Sequence, residues 1–127
     1  MFTEIFPIVD THDVAGALRF YRDLLGADVA YRFPVDGEPE YVGLRLGSTN
    51  LGVGRRDRSG TGRNDRIKLW VYAEDCDLAV ERLLAAGVRL HEAPADQPWG
   101  ERMAIVLDPD GNLVIIASTK GGATQAN

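Results

Sequence analysis

"LDPDGNLVIIAS", residues 107–118, joins a tight turn to a strand that carries no charge. Pro109 pre-sets one φ angle and Gly111 is free to take a positive one, so Asp108–Gly111 reads as a turn. Leu113, Val114, Ile115, Ile116 and Ala117 leave the strand after it no polar face. Both sides of that strand must therefore lie against something apolar.

Working outward, the same order of elements occurs twice. Residues 5–10 (IFPIVD) read as a strand, and Asp13 caps a helix in which Val14, Ala17, Leu18, Tyr21, Leu24 and Leu25 recur at helical spacing. Gly26 closes it. Val29–Phe33, Tyr41–Leu46 and Asn50–Gly54 follow as strands. Ile67–Tyr72 then starts the pattern again. Asp75 caps a second helix with Cys76, Val80, Leu83 and Leu84 on one side and Gly87 at its end. Val88–Glu92, Met103–Leu107 and Leu113–Ala117 complete it. Gly26 and Gly87 stand 61 apart, and Asn50 and Asn112 stand 62 apart. A repeat of this length is two copies of one supersecondary unit, since a solenoid needs at least three. The fold class is α+β: two tandem βαβββ modules, 1–54 and 67–120, within one domain spanning 1–127. The segment 55–66, RRDRSGTGRNDR, alternates arginine with aspartate and glycine and reads as a solvated linker.

The chain's 127 residues are enough to bury a core, and 45% apolar with 26% charged residues is ordinary globular composition. The net charge of −5 disfavours nucleic acid, whose binding rests on Lys and Arg neutralising phosphates. It mildly attracts cationic ligands. No apolar run reaches the roughly 18 to 20 residues of a membrane helix, and the N-terminus lacks the basic region and long apolar stretch of a signal peptide. The single cysteine, Cys76, suits a reducing compartment, so a cytoplasmic protein without membrane partners is expected.

With "ALRFYRDLLG" (17–26) after the first strand and "PWGERMAIVLDPDGN" (98–112) before the last, the doubled unit resembles the vicinal oxygen chelate superfamily. That group contains glyoxalase I, extradiol dioxygenases, fosfomycin-modifying enzymes and bleomycin resistance proteins. The likeness runs from Ile5 to Ser118. It implies that each module curls its strands into a half-open cup with the helix outside, the sheet being curled and mixed. Period-two alternation then sends Ile5, Pro7 and Val9 to the helix side and Phe6, Ile8 and Asp10 to the cup. On the fifth strand it sends Ile67, Leu69 and Val71 to the helix and Lys68, Trp70 and Tyr72 to the cup.

The superfamily's metal enzymes draw His, Gln and Glu ligands from the first and last strands of each module. By the flanking motifs those positions fall on Phe6, within Leu51–Gly54, on Lys68 and on Ile115. None suits a divalent cation, which wants several O, N or S donors at close range. His12 and His91 lie off the pattern. Cys76, at a helix start, reads as a small buried residue rather than a nucleophile. No Gly-x-Ser-x-Gly elbow or phosphate loop occurs. No metal, other cofactor or catalytic residue is therefore assigned.

The cup positions are instead aromatic and aliphatic. Phe6, Ile8, Trp70, Tyr72, Leu113 and Ile115 face inward, Phe33 and Tyr41 flank the first module's cup, and Trp99 closes the mouth by analogy with the superfamily. Such walls hold planar or amphipathic small molecules by stacking and area burial. Lys68, Arg102 and Asp10 are the polar groups that could orient a ligand. The resemblance is closest to the metal-free bleomycin resistance branch, and implies a homodimer that sequesters an aromatic or cationic antibiotic or metabolite without chemistry. Two alternatives stand beside it. One is a metal-independent lyase or isomerase using Asp10, Lys68 or Tyr72 as acid or base. The other is a glyoxalase- or dioxygenase-type metal enzyme with displaced ligands, for which His12 and His91 must converge.

Overall fold

The computed structural model describes residues 1, 4–56 and 68–119. The chain divides into two compact units, Met1–Thr61 and Gly62–Asn127. In the first, strand β1 (Ile8–Thr11) leads to helix α1 (Val14–Leu18) and a π-helical segment (Arg19–Leu24). Strands β2 (Asp28–Phe33), β3 (Tyr41–Leu46) and β4 (Thr49–Arg55) follow. The second unit repeats the order with β5 (Leu69–Tyr72), α2 (Cys76–Ala85), β6 (Arg89–Asp96), β7 (Glu101–Leu107) and β8 (Leu113–Thr119). Each unit forms one four-stranded mixed sheet, in the orders β1-β4-β3-β2 and β5-β8-β7-β6. The first and last strands of each unit pair in parallel, and the other neighbours are antiparallel.

Both helices start on the expected caps. The Asp13 carboxylate accepts from the Gly16 amide at 3.0 Å and the Asp75 carboxylate from the Leu78 amide at 3.1 Å, each satisfying an amide that the first helical turn leaves free. Both also end on a glycine at positive φ, Gly26 at 90° and Gly87 at 94°. Beyond them the Val88 amide donates to Leu83 O, the long bond of a Schellman closure, whereas the Ala27 amide reaches one residue further back, to Tyr21 O.

The first helix is not regular through to Leu25. After Leu18 the turns widen, and the Leu25 amide reaches back five residues to Phe20 O at 3.0 Å. At this wide turn the consecutive residues Phe20 and Tyr21 are both buried, their ring centroids 4.8 Å apart and nearly perpendicular. A hydrophobic count at 3.6 residues per turn has no way to register such a change of pitch.

Several strand boundaries also move, among them the start of β7, at Glu101 rather than Met103, and the end of β8, at Thr119 rather than Ala117. The first strand begins at Ile8 rather than residue 5, since Glu4–Pro7 form no ladder beyond Pro7 O accepting from the Gly52 amide. β4 runs on to Arg55, whose guanidinium pairs with Glu38 at 3.2 Å and Glu40 at 3.6 Å. β6 extends to Asp96 through Pro94, which an edge strand tolerates, with register shifts after Leu90 and Glu92. Of the expected linker 55–66, only Arg55 and Arg56 lie among the described residues, and Ile67 and residue 120 fall outside them.

The helix-side cores are parallel in construction. In the first unit Val9, Val42, Leu44 and Val53 are buried, with Val53 beside Val9 and Val42 in the ladder. In the second, Ala104, Val106, Val114 and Ile116 are buried, with Ile116 beside Val71 and Ala104. Cys76 ties α2 to β8: its amide donates to Ser118 Oγ at 3.0 Å and its thiol to Ile116 O at 3.3 Å. Burial, then the nearby Asp77 carboxylate, pushes that thiol up to about 11.

The turn at 108–112 is organised by a buried carboxylate. Asp108 Oδ1 accepts from the amides of Asp110 (2.9 Å) and Asn112 (2.8 Å), and Oδ2 accepts from Asn112 Nδ2 at 2.8 Å. Gly111, at φ 86°, completes the reversal. This geometry fixes the pairing of Leu107 with Leu113, and so the register along the whole of β7 and β8.

Candidate functional site

Each sheet has a helix side and an opposite side, and the opposite side carries most of the expected binding residues. In the first unit the ladder sets Ile8 beside Gly52, Asp10 beside Gly54 and Gly54 beside Tyr41. A Cβ on Gly54 would lie 3.1 Å from Asp10 Oδ1, 3.7 Å from Ile8 Cγ2 and 4.0 Å from Tyr41 Cδ1, so these three side chains gather over that glycine. Tyr41 also lies over Gly52, where a Cβ would come within 2.8 Å of its Cε1. Phe33 pairs with Tyr41 and is exposed, and the Tyr31 ring lies 6.1 Å from that of Tyr41. The structure thus brings Ile8, Phe33 and Tyr41 together with Asp10. Phe6 precedes β1, outside the ladder, and is exposed.

In the second unit, Leu113, Ile115, Ala117 and Ile105 form one buried cluster, with Tyr72, Met103 and Leu107 packed against it. Trp70 pairs with Ile115 and Tyr72 with Ala117, which puts both on this face, their ring centroids 6.1 Å apart. Trp70 is 43% and Trp99 58% exposed, so an apolar floor is rimmed by accessible indoles. Trp99 sits in the turn before β7, and its Nε1 donates to Glu101 Oε1 at 2.8 Å. Lys68 precedes β5 and is exposed.

Arg102 does not join this group. It pairs with Ser118, whose hydroxyl faces α2, and its guanidinium donates to Asp77 Oδ1 at 2.6 Å, Asp77 Oδ2 at 3.1 Å and Asp96 Oδ1 at 3.2 Å. The bidentate bond to Asp77, with Asp96 beside it, raises an already high pKa further. Arg102 thus pins α2 to the sheet from the helix side, and a role in orienting a ligand on the other face is corrected.

Of the two charged residues that open β7, Glu101 rather than Arg102 lies on that other face. It is 5% exposed, pairs with Thr119, and shares the face of Met103 and Ile105. The signal for it was present in the sequence. Counting back along the hairpin from Leu107 opposite Leu113 puts Glu101 on the side of Ile115, and Arg102 on the other.

The donor positions of a metal centre do not fit. Phe6 and Ile115 have no donor atom, Lys68 presents an ammonium, and Leu51–Gly54 hold only leucine, glycine and valine. Among the described residues, no three His, Cys, Asp or Glu side chains come together in a way that could hold an ion. Nor, among those residues, is any helix long and apolar enough to cross a membrane.

The model of the Glyoxalase/Bleomycin resistance protein/Dioxygenase superfamily matches residues 8–116. The chain belongs to that superfamily. Among solved structures it is similar to TioX from Micromonospora sp. ML1, with 22% identity, a TM-score of 0.74, and coverage of 91% of this chain and 98% of that one. A superfamily member from Sphaerobacter thermophilus DSM 20745 shares 23% identity at a TM-score of 0.71, over 91% and 97% of the two chains. A family enzyme from Burkholderia phytofirmans PsJN shares 21% at 0.74, over 90% and 96%. At these identities the likeness is one of fold. No curated protein matches the sequence. Membership accounts for the doubled βαβββ order, the mixed sheets and the turn at 108–112.

Proposed function

We propose that this superfamily member is a metal-free small-molecule binding protein of the bleomycin resistance type, which sequesters an aromatic or cationic antibiotic or metabolite. The observation that carries the reading is the side of the second sheet away from α2. There an apolar floor with an exposed indole rim stands where a metal enzyme of this superfamily would put a carboxylate, and the side chain at that position is Ile115. Stacking and area burial are what such a surface offers a planar ligand. The net charge of −5 favours a cationic one. On this reading the protein works as a cytoplasmic homodimer.

The test is a thermal-shift screen of the full chain against aromatic antibiotics and metabolites. A ligand at about 100 times its Kd adds about 2.7 kcal/mol to the folded state, a shift of several degrees for a chain of this size. Trp70→Ala should abolish the shift while leaving the unliganded midpoint nearly unchanged, because Trp70 is exposed. Stoichiometric Zn, Ni, Mn or Fe in the purified protein, with turnover that depends on it, would overturn the reading.

A further inference from the structure

One polar group on the second sheet is not used by anything above. Glu101 is nineteen-twentieths buried, and its two oxygens are treated differently. Oε1 accepts from the Trp99 indole, whereas Oε2 is buried with no hydrogen-bond partner among the described residues. Directly across the β7–β8 ladder, Thr119 Oγ1 is also buried and without a partner among the described residues. Side chains at such paired positions have Cβ atoms about 4.5–5.5 Å apart, so the two residues are direct neighbours across the ladder. They lie at the end of the same face as Met103, Ala117 and Ile115.

An ionised carboxylate accepts and never donates, and a buried oxygen of this kind is costly until a donor reaches it. A threonine hydroxyl beside it can accept as well. Two neighbouring acceptors at the end of an apolar face complement a head group with several N–H donors and a positive charge. We propose that Glu101, with Thr119 beside it, is the polar anchor of the binding face, and that it takes the primary ammonium or amidinium head of a ligand whose aromatic body lies on the apolar floor. This rests on the binding function proposed above and names its ligand class: aromatic amines and amidines. Trp99 is then a positioning residue. It holds Oε1 and leaves Oε2 as the oxygen that a ligand head can engage.

The test uses two probes of nearly equal shape, 1-naphthylmethylammonium and neutral 1-naphthylmethanol, titrated calorimetrically into the full chain at neutral pH. The ammonium should bind at least about tenfold more tightly than the alcohol, as a charged hydrogen bond in a buried setting implies. Raising the salt should weaken the ammonium more than the alcohol. In Glu101→Gln, which keeps the shape but removes the charge, the preference for the ammonium should fall to within about twofold. Near-UV circular dichroism of the variant checks that its packing is native. Equal binding of the two probes by the wild-type chain overturns the assignment of Glu101 but leaves the apolar site standing, and so does a preference that survives Glu101→Gln. Failure of both probes to bind overturns the binding function itself.

Discussion

The two sheets are alike on the side that carries the helix and unlike on the other. On the helix side the central triplets are Val9–Val53–Val42 and Val71–Ile116–Ala104, apolar in both units. On the opposite side the positions held by Ile115 and Ala117 in the second unit are Gly52 and Gly54 in the first. Glycine lets the Tyr41 ring lie close to the backbone of β4, so the first unit covers its sheet with a side chain of its own. The second unit instead builds an aliphatic floor and leaves its indoles at the rim. The helix side is set by what a helix needs beneath it. The opposite side is free to vary, and the two units have used that freedom differently.

Cavity-forming changes on the matched side test the likeness most severely. Ile116 is 1% exposed, and Ile116→Ala should cost about 3 kcal/mol, read as a lower urea midpoint with an unchanged slope. Val53→Ala, at an equally buried position, should cost somewhat less because fewer atoms are lost. If the valine change proved the costlier, the two helix sides would not be equivalent.

A smaller effect tests the difference. Gly52→Ala forces the Tyr41 ring off β4 and should destabilise by about 1–2 kcal/mol. In a Tyr41→Ala background the same change should cost far less, since the clash has gone. Strict additivity of the two would show that Tyr41 does not cover those glycines.

The smallest effect at neutral pH concerns Cys76, the chain's single thiol and therefore a reporter on the second unit alone. Its pKa in the fold, about 11, stands above the ordinary 9.0 because burial disfavours the thiolate. The folded state thus holds the proton more tightly than the unfolded chain. The associated stability is fully present below pH 9 and is lost as the pH rises toward 11. A disulfide reagent at pH 8 should label Cys76 only as fast as the second unit opens. Stability above pH 9 should fall less steeply in Cys76→Ala. Rapid labelling of the native protein would contradict the burial.

Much of this architecture follows from local chemistry. Asp13 and Asp75 cap helices, Gly26 and Gly87 end them at positive φ, and Asp108 with Gly111 makes the turn. Each works through atoms a few residues away, so each is legible without knowledge of the rest of the fold. The alternation on β5 is legible for the same reason, because facing inward or outward is a property of a regular strand. The tertiary structure decided what depends on partners distant in sequence. The widened turn after Leu18 is set by how Phe20 and Tyr21 pack, and the glycines of β4 acquire their meaning only from the Tyr41 ring above them. Composition marks both Glu101 and Arg102 as polar residues on one strand. Pairing across the hairpin puts one against an apolar floor with an oxygen to spare, and gives the other to Asp77 on the far side of the sheet.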